Sequence, residues 1–224
     1  MNPVTLAIAL LLAVVVWGVI VRHLTAMPWA EDGGGEHLRD VSPIEQPAAK
    51  VAFYALLGVI TSLFLLFITA YNMRMNPSHG GDWQPVTEPN ILWLNTALLI
   101  FSSIAMQWAR GLANRNSQKK LLIALICGGL LTLAFLGAQL VAWQQIQASG
   151  QYSLANPASA FFYLLTAVHG FHLIGGLVVW VLTLKKIKEG ASTQSLQLTV
   201  ELCSVYWHYL LVVWLLLFAM LIST

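Results

Sequence analysis

Two histidines stand inside an otherwise apolar stretch of the sequence, "LLTAVHGFHLIGG", residues 164–176. His169 and His172 are three positions apart, so on a helix both rings lie on the same face. A third histidine, His208, lies in the apolar stretch that follows. Neutral imidazole is a common ligand of zinc, copper and iron, so three such rings could form a metal site. The alternative is that each ring hydrogen-bonds a neighbouring helix, as polar groups inside a membrane usually do.

One carboxylate accompanies the histidines. Glu201 lies about one helical turn inside the same stretch as His208, and Ser204 falls between them on the same helix face. A proton path needs several titratable groups in series, and this stretch offers one carboxylate near its edge. The favoured interpretation is an interfacial carboxylate bonded to a tryptophan, a histidine or a lipid headgroup. The sequence contains no phosphate-binding loop, catalytic triad or haem-attachment motif.

The stretches that must position these residues are long enough to cross a membrane, which takes about 20 apolar residues. Six of them occur, at 4–22, 52–72, 91–109, 121–144, 159–184 and 199–222. The chain is 58% hydrophobic and 9% charged, whereas a soluble domain carries about 25% charged residues. The sequence therefore predicts an all-α integral membrane protein with six transmembrane helices. Its net charge of +2 is too small to indicate a nucleic-acid partner.

The basic residues predict the orientation. If both termini lie outside, the inner loops are 23–51, 110–120 and 185–198. Ten of the eleven basic residues then lie in or beside those loops, and only Arg74 lies outside. Because positive charge collects in cytoplasmic loops, we expect both termini on the outer side. By the helical rise, His169 and His208 then lie about 15 Å from the outer and inner boundaries respectively, near the middle of the membrane.

The N-terminal part separates from the rest by composition. The first apolar stretch lacks the basic start and the cleavage site of a signal peptide, so residues 1–23 are predicted to be a retained anchor helix. Residues 24–51 carry prolines, glycines and acids, which indicates an irregular cytoplasmic linker. Residues 52–224 form the predicted five-helix core.

The last two stretches resemble subunit III of the haem–copper terminal oxidases, the cytochrome c oxidase family. The matching segments are "FFYLLTAVHGFHLIGG" (161–176) and "ELCSVYWHYLLVVWLLLF" (201–218), preceded by "LNTALLIFSS" (94–103) and "LGAQLVAW" (136–143). They occur in the order and spacing of the family over about 50–222, and the HGxHxxxG and ExxxxYWH patterns are specific when found together. The chain is identified as a divergent member of that family.

The resemblance implies a five-helix subunit III core with no catalytic residues of its own. It implies that haem and copper lie in subunits I and II of a complex that reduces O₂ to water and drives proton translocation. It further implies that subunit I is the main contact, that subunit II and other oxidase subunits are partners, and that phospholipid binds the chain. The expected location is a bacterial inner membrane, with both termini periplasmic. In the family, subunit III also sustains proton uptake and slows inactivation during turnover.

Three carboxylates that the family carries inside the membrane are apolar here, at Ile60, Ala142 and Leu211, and only Glu201 remains. We therefore expect functions that depend on those acids to be absent. The retained polar side chains are expected to tie helices together or to place lipid; they are His169, His172, Glu201, Tyr206, Trp207, His208 and Trp214.

Two other functions fit parts of the pattern. The accessory membrane subunit of nitric oxide reductases shares the five-helix core. An intramembrane metalloprotein built on His169, His172 and His208 belongs to a different class, and metal analysis separates it from a structural subunit.

Overall fold

A computed structural model of the chain describes residues 45–75, 83, 89–113, 115, 118–149, 156–189 and 193–223. These residues contain five α-helices: α1, Glu45–Met75; α2, Ile91–Ala113; α3, Gln118–Ala148; α4, Pro157–Lys188; and α5, Thr193–Ile222. Each of them includes a segment long and apolar enough to cross a membrane. The described part is thus all-α, and the chain is a multi-pass membrane protein. The predicted anchor helix at 4–22 lies outside the described residues.

The helices extend past the apolar stretches into polar sequence. For example, α3 runs from Gln118 to Ala148, whereas the apolar stretch spans 121–144. Hydropathy marks the part of a helix that crosses hydrocarbon, but the helical backbone continues into the headgroup layer. Similarly, α1 begins at Glu45, so the end of the segment assigned to the linker is helical. Residues 24–44 of that segment lie outside the described residues.

The chain divides into two compact units, 1–72 and 73–224. In the first unit, the described residues belong to α1. Its buried apolar side chains recur at spacings of three, four and seven residues, which places them on one face of the helix; they are Leu57, Ile60, Phe64 and Tyr71.

The second unit is a bundle of α2, α3, α4 and α5. Each helix packs against the next, and α5 closes the ring against α2. The short connection between α2 and α3 makes these two helices antiparallel neighbours. One apolar cluster at the N-terminal end of α2 surrounds Phe135 and Trp214, and a second at its C-terminal end surrounds Met106 and Trp207. The histidine- and tryptophan-bearing segments therefore face two apolar clusters, one toward each end of α2.

The start of α4 is defined by its cap. Asn156 has extended backbone angles, and its side chain accepts a hydrogen bond of 3.1 Å from the Ala158 backbone N–H. Pro157 occupies the first helical position, where its missing N–H costs nothing. The last turn carries Lys185, Lys186 and Lys188. Their positive charges interact favourably with the negative end of the helix dipole. These signals place the "HGFH" segment near the middle of α4.

Candidate functional site

His169 is fully buried in the bundle, and its ring links α4 to α5. Its Nε2–H donates to the backbone carbonyl of Leu210 over 3.1 Å. The ring packs against Trp214 at 5.2 Å between centroids and meets Phe135 edge-on at 5.7 Å. Since Nε2 carries the proton, Nδ1 is an acceptor, and this buried atom has no hydrogen-bond partner within the described part of the chain. The ring thus acts as an interhelical connection.

Trp214 joins α5 to two other helices. Its indole N–H donates to the Thr96 hydroxyl of α2 over 3.0 Å. That hydroxyl donates in turn to the Leu92 carbonyl one turn earlier. The indole also packs edge-to-face on Phe135 of α3, with centroids 4.9 Å apart. A fully buried indole therefore has its polar atom satisfied and its faces packed.

Trp207 sits at the junction of three helices. Its indole N–H lies 3.1 Å from the Ser102 hydroxyl of α2 and 2.9 Å from the Thr132 hydroxyl of α3. The two hydroxyls are 2.8 Å apart, and both also contact the Gly128 carbonyl, at 2.8 and 3.0 Å. All of these side chains are buried. A shared N–H donor and two hydroxyls form a compact network that holds α2, α3 and α5 together.

His172 contributes to the interface through its backbone. Its ring Nδ1–H donates to the Val168 carbonyl of the same helix over 2.7 Å. Its own carbonyl accepts a 3.0 Å bond from the Tyr206 hydroxyl of α5. The Tyr206 ring lies over Gly176, where an added Cβ would come within 2.9 Å of it. The expected link from His172 to a neighbouring helix therefore runs through the peptide group, with a glycine opening the space for the tyrosine.

His208 faces α2 with both ring nitrogens bonded. Nδ1 accepts from the Ser103 hydroxyl, and Nε2–H donates to the Gln107 side-chain oxygen over 3.0 Å. The Ser204 hydroxyl, one turn earlier on α5, donates to the same Gln107 oxygen over 3.3 Å. This four-residue cluster on α2 and α5 is only partly buried, in contrast to the Trp207 network.

Glu201 forms an ion pair with Arg110. Their nearest charged atoms are 3.0 Å apart and connect α5 to the end of α2. The two side chains are 39% (Arg110) and 36% (Glu201) exposed, so the bundle does not enclose either charge.

A buried amide pair was not identified from the sequence. The Asn95 side-chain N–H donates to the Gln139 side-chain oxygen over 2.8 Å, between α2 and α3. Both side chains are buried, and the remaining Asn95 oxygen and Gln139 nitrogen have no hydrogen-bond partner in the described residues. The available signal was an amide inside each of two apolar stretches, because such residues normally find a partner on another helix.

The three histidines do not converge. His169 points into the aromatic core, His172 bonds its own helix, and His208 faces α2. Across the described ranges, no group of three or more His, Cys, Asp or Glu side chains is arranged to hold a metal ion. The geometry gives no support to the three-histidine metal hypothesis.

The positions of the family's missing carboxylates lie in different surroundings. Ile60 is 4% exposed on the buried face of α1. Ala142 is 0% exposed and belongs to the cluster around Phe135. Leu211 is half-buried beside His208 and lines a groove on the bundle surface. A carboxylate at either of the first two positions would have to enter a packed apolar environment.

Comparison with known proteins gives a consistent result. The sequence model of the family described as Cytochrome c oxidase subunit III matches residues 11–223. Cytochrome c oxidase subunit 3 of Arabidopsis thaliana is 31% identical over 162 residues, which cover 69% of this chain and 60% of the plant protein. The bacterial subunit 3 of Alkalihalophilus pseudofirmus is 26% identical over 170 residues, 75% of this chain and 82% of the relative. The matched part of the chain thus spans about 60% of the length of its plant relatives.

Proposed function

The chain belongs to the cytochrome c oxidase subunit III family, and from this we propose that it is a non-catalytic subunit of a respiratory haem–copper oxidase. The complex reduces O₂ to water and drives proton translocation with the haem and copper of subunits I and II. This chain stabilises subunit I, also contacts subunit II and other oxidase subunits, and binds phospholipid. It has no catalytic residues of its own.

The observation that supports this proposal is the use of the retained polar side chains. The indole N–H groups of Trp207 and Trp214 and the imidazole N–H of His169 all donate across helix interfaces. The Glu201 carboxylate is paired with Arg110 at the surface. Interhelical hydrogen bonds in membranes contribute about 0.6 kcal/mol each on average, so together they fix the shape of a bundle. They do not form a series of exchangeable proton sites.

The arrangement of charge supports an orientation. Basic residues cluster at one end of the bundle, where α2 ends, α3 begins and α4 ends; they include Arg110, Lys119, Lys120, Lys185, Lys186 and Lys188. By the positive-inside rule, this end faces the cytoplasm of a bacterium whose inner membrane holds the complex. The chain then has an N-terminal anchor helix and two periplasmic termini.

The same basic end supports lipid binding. Arg110, Lys119 and Lys185 lie at helix ends, where long cationic side chains reach the headgroup layer. Phosphate groups of the inner leaflet bind there, and acyl chains cover the exposed apolar side chains of α3 and α4, which include Phe171, 74% exposed, and Leu130, 57% exposed.

The alternative functions receive less support. The relatives described above are all cytochrome c oxidase subunits, which favours the oxidase over a nitric oxide reductase accessory protein. The separated histidines disfavour the intramembrane metalloprotein.

Deletion of this chain from its oxidase tests the proposal. The oxidase without it starts at a near-normal rate but loses activity during turnover, and the re-expressed full chain restores its working lifetime. In a matched control, the re-expressed chain differs from the parent only by an affinity tag. An unchanged lifetime without the chain, or co-purification of the tagged chain with a nitric oxide reductase, would contradict the proposed function.

A further inference from the structure

Three buried polar atoms of the bundle have no hydrogen-bond partner among the residues that the structure describes. They are the side-chain oxygen of Asn95 on α2, the side-chain nitrogen of Gln139 on α3 and Nδ1 of His169 on α4. The three residues are 0%, 4% and 0% exposed, respectively. A buried polar atom that stays unpaired is costly, and such atoms almost always have a partner in the protein or in ordered water.

Contacts on either side of Gln139 place it at the level of His169. Phe135, one turn before Gln139 on α3, meets the His169 ring edge-on with centroids 5.7 Å apart. Trp143, one turn after Gln139, donates over 3.0 Å to Thr166, which precedes His169 by three residues. Because α3 and α4 run in opposite directions, Gln139 and His169 lie within about one helical turn of each other along the bundle axis.

Asn95 belongs to the same level through its bond to Gln139. Its side-chain N–H donates over 2.8 Å to the Gln139 oxygen, so the unpartnered oxygen and nitrogen are the other ends of the same two amides. The next residue, Thr96, accepts from the Trp214 indole N–H over 3.0 Å, and the Trp214 ring packs on His169 at 5.2 Å between centroids. The three residues therefore share one part of the interior, beside Trp214.

The hydrogen-bonding capacities of the three atoms match those of water. The Gln139 nitrogen donates, whereas the Asn95 oxygen accepts. His169 Nδ1 also accepts, because the proton of the ring is on Nε2 and is donated to the Leu210 carbonyl. A water molecule that accepts one bond and donates two makes about three bonds, as buried waters usually do. Exchange of oxygen and nitrogen within both amides leaves the same one donor and two acceptors.

Other occupants match the three atoms less well. An acyl chain offers neither a donor nor an acceptor. A cation would attract the two acceptors but would meet the N–H of Gln139. A second bond between the two amides would satisfy both of them without a ligand, but it would leave His169 Nδ1 without a donor.

We propose that a buried water molecule binds between Asn95, Gln139 and His169. It accepts from the Gln139 amide and donates to the Asn95 oxygen and to His169 Nδ1. The water connects α2, α3 and α4, and it holds the His169 ring from a second direction in addition to the Leu210 carbonyl. Ordered water satisfies polar groups inside membrane proteins in the same way. This site goes beyond the proposed function, since it needs only the residues of this chain.

Hydroxyl-radical footprinting with X-rays, applied to the purified complex in lipid nanodiscs, tests the water site. X-rays split bound water into hydroxyl radicals that oxidise the side chains beside it, whereas a dry interior is spared. Trp214 is the reporter, and Trp207 is the matched control on the same helix, because the two are 0% and 1% exposed. We expect Trp214 to be oxidised about fivefold faster than Trp207. Equal rates in the parent complex would overturn the proposal.

A double variant links the oxidation to the two amides. Asn95→Leu with Gln139→Met removes both amides at nearly unchanged volume. We expect the oxidation rate of Trp214 to fall to that of Trp207, while the rate of Trp207 stays the same. Gln144→Met is the control substitution at an exposed position of α3, and it should leave both rates unchanged.

The outcomes are independent of oxidase activity. Rapid oxidation of Trp214 that persists in the assembled double variant would show that the amides do not hold the water. If the double variant does not assemble, the ratio of the two rates in the parent complex decides the question by itself.

Discussion

The indole of Trp180 on α4 lies directly against the backbone of Gly129 on α3. A Cβ placed on Gly129 would be 2.2 Å from the Trp180 ring. The indole N–H donates over 2.8 Å to the Leu125 carbonyl, one turn earlier on α3. The absence of a Cβ on Gly129 therefore permits this close contact between the two helices.

Gly129→Ala should destabilise the bundle, because the methyl group displaces the Trp180 ring and breaks its bond to Leu125. We expect the free energy of unfolding to fall by about 1–3 kcal/mol, measured by unfolding in mixed micelles with increasing sodium dodecyl sulfate. Gly137→Ala is the matched control on the same helix, since nothing lies within 4 Å of a Cβ there. Equal stability of the two variants would show that the close contact is not required.

Trp207→Phe should remove the donor shared by Ser102 and Thr132 while it preserves most of the packed volume. We expect a loss of about 1 kcal/mol in the free energy of unfolding. Trp93→Phe serves as the control, since Trp93 is 63% exposed and its contact with Phe218 is kept by another aromatic ring. A loss no larger than that of the control would contradict the role of the three-helix network.

The Arg110–Glu201 pair should contribute little to stability, because both side chains are partly exposed. A double-mutant cycle with Arg110→Gln and Glu201→Gln should give a coupling energy of about 0–1 kcal/mol that decreases as salt is added. A coupling above about 2 kcal/mol that does not depend on salt would indicate a buried pair in the assembled complex.

His169→Gln should leave the metal content of the purified complex unchanged, because the described residues contain no group of three or more His, Cys, Asp or Glu side chains that could hold a metal ion. We expect the variant to lose stability and to retain the same zinc, copper and iron per complex as the parent, measured by inductively coupled plasma mass spectrometry. The loss of one equivalent of a metal that His208→Gln also removes would revive the three-histidine site.

Ile60→Glu should not raise the number of protons pumped per electron. Ile60 lies between Leu57 and Phe64 on the buried apolar face of α1, where desolvation holds a lone carboxyl group in its protonated form. The ratio is measured in oxidase vesicles beside Ile60→Gln, which has the same shape without an ionisable group. A reproducible rise for glutamate alone would mean that the lost carboxylate took part in proton transfer.

Much of the architecture could be predicted from hydropathy. An apolar run of membrane length forms a helix because a helix satisfies its own backbone hydrogen bonds inside lipid. The runs at 91–109 and 121–144 correspond to α2 and α3. Their polar ends were missed because the helix continues where hydropathy falls. The predicted and observed helix boundaries differ most at α1. This helix begins at Glu45, inside a segment whose composition indicated a linker.

The sequence predicts a similar membrane depth for His169 and His208, but it does not predict the directions of their side chains. His169 enters the aromatic core, whereas His208 faces Gln107. The direction depends on how each helix is rotated in the bundle, which close contacts such as Gly129 with Trp180 decide. Ser102 and Thr132 were missed for the same reason, since hydroxyls in helices often bond only their own backbone.

The Trp207 and Trp214 contacts also set a time order for assembly. Both indoles belong to α5, and their partners Ser102, Thr132 and Thr96 precede them by 105, 75 and 118 residues. At roughly 5–20 residues per second, the hydroxyls of α2 enter the membrane on the order of ten seconds before the indoles are made. Ser102 and Thr132 can bond each other during that interval, whereas the interior becomes complete only when α5 arrives. A ribosome that stalls before α5 would therefore leave the hydroxyls of α2 and α3 open to any other helix that offers a donor.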